Sequence, residues 1–487
     1  MKTTRALILL SLGLLISQNS FGQFAEDALR FSQFGLGVGA RNLGMGNAAV
    51  GNVSDYSSLF WNPAGLALQR NYELSLGLTQ QGFVNDATFL GSTTNASKNA
   101  TNLNNIGFVY PVATSRGSLT FAFGYGRTSD YSGMASFEGF NSGSSIVKSL
   151  APFTNLNGFS SNERASFLDN NIPFQIFLAD TANSGGYLYP VVTDSVQQTG
   201  TVTEGGGVNH WSLGGAMDIA PDLSVGVSLN FVSGSYSYDR VYVERDSRNV
   251  YHYAPPFDFD KFTFQSSIAS DISGFNALVG LMYRKQGRYK IGVTVRTPTK
   301  YEINETFTDI GKSWFKNGDY FEHQLENRTT YRIETPIVLS AGASVQLLDF
   351  ITLAGDAEYT DWTQMKFDSN NADLVDENRV IAKIFRATTN LRGGAEVTLF
   401  DLGVKLRGGI VWNPSPYKGD PADYDQLYYT AGIGVQLDNQ VTLNVGYALG
   451  TWKTFRDNYY IPNVNEASTT KEKIQTNTIN ATLSLQF

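Results

Sequence analysis

The chain has 487 residues, of which 16% are charged and 13% aromatic, with 48 glycines; soluble domains carry about 25% charge, so a string of ordinary soluble domains does not have this composition. A mean hydropathy of −0.19 excludes a bundle of membrane helices, and a net charge of −8 with no basic cluster excludes nucleic acid as a partner. The absence of cysteine excludes disulfides, thiolate metal sites and a lipid-modified N-terminal cysteine.

In chain order, Lys2 and Arg5 precede the apolar run Ala6–Ile16, and Ser20-Phe21-Gly22 place small residues at −3 and −1 of a cut before Gln23. Residues 1–22 are therefore expected to be a cleaved signal peptide. No later stretch approaches the ~18 apolar residues of a spanning helix. Residues 23–70 are rich in Gly and Ala and end in Phe60-Trp61-Asn62-Pro63-Ala64-Gly65-Leu66. Their apolar content predicts a buried segment. Gly37, Gly39, Gly44, Gly46 and Ala48 allow close backbone packing, and Asn62-Pro63 starts a turn.

From Tyr72 onward, side-chain alternation of period two predicts fourteen strands, the first at Tyr72–Gln80 and the last at Ile474–Phe487. The connections sort by parity. The even ones are short, such as Ala113–Gly117, Ala220–Asp222, Gln286–Arg288 and Phe400–Asp401. The odd ones are long, such as Gln81–Leu103, Ser129–Gly206, Phe307–Glu326, Gln364–Ala387 and Trp452–Lys473. A barrel with tight periplasmic turns and long outer loops has this pattern. Each strand has one greasy and one polar face, as in Ile479, Ala481, Leu483, Leu485 and Phe487 against Asn480, Thr482, Ser484 and Gln486. A closed barrel in lipid leaves no sheet edge unpaired. The predicted fold is an all-β, 14-stranded antiparallel transmembrane β-barrel over residues 71–487, its lumen plugged by residues 23–70. A terminal Phe487 also resembles the sorting signal read by the barrel-assembly machinery, and a monomer in outer-membrane lipid is expected.

The polar parity assigns Arg296, Arg332, Glu334, Asp356, Glu358, Arg392, Glu396, Lys405 and Arg407 to the lumen as a paired network of mixed sign. In the longest outer loop, Ile172-Pro173-Phe174-Gln175-Ile176-Phe177-Leu178 is apolar enough to capture a ligand or to pack over the barrel mouth. Gly124 and Gly126 mark a place where the third strand could open the wall, or where glycine makes room for aromatic neighbours. His210 and Ser212 share a strand face, as in outer-membrane phospholipases. Their parity points them into the lumen with no third member to orient the histidine, so no catalytic site is assigned. No metal site or cofactor is expected. The outer acidic residues Asp368, Asp373, Asp376, Asp420, Asp423 and Asp425 read as loop solubility.

Gly39-Ala40-Arg41, Gly44-Met45-Gly46, Asp55 and Asn62-Pro63-Ala64-Gly65-Leu66 together resemble the N-terminal hatch of the FadL-like long-chain fatty-acid transporters. Asp356-Ala357-Glu358-Tyr359, Leu391-Arg392-Gly393-Gly394 and Leu406-Arg407-Gly408-Gly409 resemble strand motifs of the same family. At Asp55-Tyr56-Ser57 family members often carry paired acidic residues. The resemblance implies a channel for hydrophobic small molecules, long-chain fatty acids or aromatic hydrocarbons. It also implies a hatch gated at Gly44, Gly46, Asp55 and Asn62–Gly65, and a lateral exit through the wall. Trp61-Asn62-Pro63 and the leader ending before Gln23 look like proteins of the Bacteroidetes group, where barrels of this family also serve a protein secretion and surface-attachment machine. That role is the alternative.

Overall fold

The computed structural model describes residues 21–487 except 253–257, 286–287, 369–371 and 462–465. Residues 1–20 of the expected signal peptide and two residues of the expected 286–288 turn lie outside the described residues.

Fourteen barrel strands follow one another in the order expected. They are β1 (Glu73–Phe89), β2 (Ser92–Val112), β3 (Leu119–Asp130, resuming as Gly133–Asn141), β4 (Val196–Ala220), β5 (Leu223–Arg245), β6 (Phe259–Lys285) and β7 (Tyr289–Arg296, resuming as Lys300–Phe315). The remaining seven are β8 (Tyr320–Glu334, resuming as Val338–Leu348), β9 (Ile351–Asp361), β10 (Ala387–Leu399), β11 (Val404–Asn413), β12 (Gln426–Gln436), β13 (Val441–Ile461) and β14 (Glu466–Gln486). Each pairs antiparallel with its neighbours in sequence, and β14 closes on β1 from Glu73↔Gln486 to Thr88↔Lys471. Phe487 ends the seam: its backbone exchanges two hydrogen bonds of 3.1 Å with Tyr72, and the two rings stack at 5.6 Å. The outward faces carry exposed Leu74, Phe123, Leu213, Ile291, Ile433 and Leu483, the apolar band of an outer-membrane barrel.

Three expected outer loops turn out to be mostly strand. β1 and β2 run on to a two-residue turn at Leu90-Gly91, both with positive φ, the backbone that a tight hairpin needs. β7 and β8 likewise continue to Phe315 and Tyr320, and β13 and β14 to Ile461 and Glu466. The apolar outward face stops where lipid stops, while pairing continues in segments of mixed character, rich in Thr, Asn and Ser in β2 and in charged and aromatic residues in β7 and β13.

The wall is uneven in height. β4, β5 and β6 have 25, 23 and 27 residues, against 11, 10 and 11 for β9, β11 and β12. Among the described residues, seven α-helices lie inside or above it: α1 (Phe21–Ser32), α2 (Ala40–Gly44), α3 (Ser58–Trp61), α4 (Val147–Leu150), α5 (Ser161–Asp169), α6 (Ile172–Gln175) and α7 (Ala372–Ile384). α4–α6 belong to a cap with its own small three-stranded sheet. α7 covers the low side.

At Pro298 and Pro336, β7 and β8 break at the same height, and inward parity switches there from even to odd residues. Proline cannot donate to the ladder, so such breaks are where a strand can change face. This corrects the placement of Arg332 and Glu334. Beyond the break they point out of the barrel and pair at the surface with Glu302 (2.9 Å) and Lys366 (3.0 Å).

Candidate functional site

Residues 24–69 run through the barrel and bond to its inner wall. The wall is shaped for them by one inward glycine on strand after strand. Methyl groups at Gly226, Gly292, Gly394, Gly409 and Gly446 would each strike backbone of the N-terminal segment, between Ala40 and Ala64. The segment supplies glycines of its own: Gly44 faces Gly432, and Gly46, held at φ +64°, sits against Gly393 and Ile410. Backbone thus packs on backbone, closer than any side chain permits.

Polar contacts fix the register. Asn62 donates to the carbonyls of Val50 (2.8 Å) and, on β6, Leu281 (3.1 Å), while its oxygen accepts from Ala64 N–H at 3.1 Å. Pro63 opens a short 3-10 turn, with Ala64 and Gly65 buried behind it. Asp356 on β9 accepts from the amides of Ala49 (2.6 Å) and Val50 (2.8 Å). Glu396 on β10 lies between Arg407 (2.7 Å) and Arg41 of the segment (3.4 Å). Arg392 bonds Glu358 at 2.8 Å and lies 5.2 Å over the Trp61 ring. Arg296 sits 4.3 Å over Phe34 and donates to the Phe60 carbonyl at 3.2 Å. Asp55 accepts from the Ser57 amide at 2.9 Å. Lys405, near the periplasmic turn, is exposed.

Above the segment lies a cavity of about 1680 Å³ that reaches outer-loop residues Lys418 and Asp420. Its lining is mixed, with Tyr236, Phe264 and Trp452 beside Arg30, Arg240 and Glu204. Charges are paired across it: Arg456 bridges Glu204 (3.4 Å) and Glu472 (3.0 Å), and Arg30 lies 4.4 Å over Tyr236. The candidate capture segment is mostly cap interior. Ile172, Ile176 and Leu178 are buried, Phe174 packs against the cap core, and Phe177 alone is exposed, its ring 4.4 Å from Phe321.

The wall changes character at β3. The β2–β3 ladder ends at Asn105↔Gly126, whereas β3 stays on β4 through Arg127↔Asn209, Ser129↔Val208 and Asp130↔Gly207. Beyond Gly126 the β2–β3 joint is held by side chains, notably Asn102 on Asp130 at 2.7 Å. The N-terminal segment docks at this place. Gly35 N–H donates to the Thr128 carbonyl (3.0 Å), and the Ser129 hydroxyl donates to the Gln33 carbonyl (2.9 Å). Gly124 and Gly126 lie just before the departure, in paired strand, with Tyr56 and Phe60 packed against them. Sequence reasoning did not single out Gln33, Thr128 or Ser129. The available signal was the loss of apolar alternation after Tyr125.

His210 is buried between the rings of Phe34 (6.3 Å) and Phe60 (6.4 Å), and the Ser212 hydroxyl donates to Asn230 at 2.6 Å. The serine is thus committed to a neighbour other than the histidine.

Among solved structures, the toluene transporter TodX of Pseudomonas putida is similar over 92% of this chain and 98% of its own (TM-score 0.54, 14% identity). A FadL homologue of Pseudomonas aeruginosa matches over 92% and 98% (TM-score 0.56, 11% identity). The toluene transporter TbuX of Ralstonia pickettii matches over 94% and 100% (TM-score 0.51, 15% identity). At these identities the likeness is one of fold. No curated protein matches the chain by sequence. The family model for outer membrane protein transport proteins (OMPP1/FadL/TodX) matches residues 197–486, more than half of the chain, and the chain belongs to that family of outer-membrane transport barrels.

Proposed function

We propose that this barrel carries hydrophobic small molecules, long-chain fatty acids or aromatic hydrocarbons, across the outer membrane, with residues 23–70 acting as a movable hatch. The observation that carries the reading is the meeting of three features. The lumen is closed by a segment bonded to the wall, a large cavity lies above the closure, and β3 leaves β2 where Gln33 and Gly35 are bound. A ligand in the cavity that displaces Gln33–Gly35 frees Thr128 and Ser129 at a joint already lacking its ladder. Lateral exit into lipid suits such cargo, because re-exposing an acyl chain to water costs about 0.8 kcal/mol per CH₂. The family and the structural neighbours are transport channels, and no reaction is assigned to His210 and Ser212.

The test is uptake of labelled long-chain fatty acid and of labelled toluene by cells with and without the protein. Faster uptake of either, abolished by an Asn102→Cys/Asp130→Cys disulfide across the β2–β3 joint and restored by reductant, is expected. Equal uptake with and without the barrel across both ligands overturns the reading.

A further inference from the structure

The outer helix α7 and the N-terminal helix α1 share one core. Leu374, Ile381 and Phe385, from α7 and the residue after it, pack in a single buried cluster with Ala25, Ala28, Leu29 and Phe31 of α1. Trp362 and Met365, from the end of β9, complete the contact. α1 leads directly into Gln33–Gly35, which is bonded to Thr128 and Ser129 where β3 leaves β2. An unbroken packed path therefore runs from a helix on the outer side to the weak joint of the wall.

The α7 end of this path has one weak point in its docking face. Glu377 lies on the docking face between Leu374 and Ile381, at helical spacings of three and four. It is 1% exposed, and neither carboxylate oxygen has a hydrogen-bond partner among the described residues. A buried acid without a partner weakens whatever contact buries it. Glu377 sits between Leu374 and Ile381 and weakens the docking of α7, which Asn378 in turn supports by accepting from the Phe367 amide (2.7 Å) and donating to its carbonyl (3.1 Å). Exposed Val375 marks the opposite face.

We infer that α7 is the outward-facing trigger of the hatch: undocking α7 from α1 loosens Gln33–Gly35 from Thr128–Ser129 and thereby unlocks the β2–β3 joint. The inference rests on the hatch reading above, but concerns which outer element controls it. α7 is the helix in that cluster contributed by an outer connection.

The test is amide hydrogen exchange on the full-length barrel in detergent, with no ligand added, so it does not depend on which cargo is carried. Ile381→Asp, on the docking face, is expected to accelerate exchange in residues 33–36 at least about tenfold while leaving residues 44–51 unchanged. Val375→Asp, on the exposed face, is expected to change neither. Glu377→Gln removes the charge without changing shape and is expected to slow exchange in residues 33–36. Fast exchange in α7 with residues 33–36 unchanged overturns the inference, as does equal acceleration across residues 44–51. Should Ile381→Asp fail to fold, Glu377→Gln decides alone, and exchange that is unchanged or faster overturns it.

Discussion

Asp356 shows how one side chain ties the N-terminal segment to the barrel wall. One of its carboxylate oxygens takes both the Ala49 and Val50 amides, in a loop that has no helix or ladder to satisfy them. Removing the acceptor leaves two buried donors unmet, at about 1–3 kcal/mol each. Asp356→Ala is therefore expected to raise the frequency of transient openings in single-channel recordings by more than about tenfold, while the barrel remains folded by circular dichroism. A closed trace indistinguishable from the parent would show that this contact does not hold the segment. Asp356 was readable from strand parity, because β9 and β10 are regular and every second residue faces inward. Arg332 and Glu334 were misplaced for the complementary reason: the break at Pro336 exchanges the faces, and a period count carried across it points the wrong way. The wall glycines were present as Gly393-Gly394 and Gly408-Gly409, but their purpose lies in the partner backbone, which no single strand reveals.

At the scale of elements, strands and helices were legible to different degrees. Each barrel strand announced itself by a greasy outward face, since lipid demands it. α1 and α7 did not, because their apolar faces are satisfied by each other and by the barrel mouth, a contact between residues far apart in sequence. α7 also carries a pH dependence that follows from its packing. Burial pushes the Glu377 carboxyl up to about 7, with the adjacent Asp376 adding to the shift. Cations on the neighbouring elements are already engaged: Arg30 by Asp27, Lys366 by Glu334, Arg379 by Asp376 and Lys418 by the carbonyls of Ala382 and Lys383. A carboxyl whose docked pKa exceeds its free value of 4.5 favours docking below that value and loses the contribution as pH rises through about 7. Protease accessibility of α7 is thus expected to increase between pH 5 and pH 8 by roughly tenfold or more, and to lose that dependence in Glu377→Gln. A flat profile in the parent would mean the carboxyl is not buried in the docked helix.

At the scale of the whole molecule, closure and blockage are separate properties. The barrel closes through the β1–β14 ladder and needs nothing from residues 23–70 to do so, whereas the lumen is blocked by those residues and their bonds to inward glycines and charges. Loop parity alone established the number of strands and put both barrel ends on the same side. It said nothing of the uneven wall height, which depends on polar hairpins beyond the membrane. The separation makes a direct prediction. A chain lacking residues 23–70 keeps its fourteen strands and its apolar outer band, so it is expected to insert in planar bilayers. Its inner wall would then be bare where Gly226, Gly292, Gly394 and Gly409 line it, and the charges of Glu396, Arg407, Asp356 and Arg392 would face water. Such a lumen should conduct small ions steadily, where the intact chain conducts only in brief events. Because those exposed charges are of mixed sign, weak selectivity between cations and anions is expected. A truncated barrel that inserts yet stays closed would show that the cap and α7, not the N-terminal segment, seal the pore.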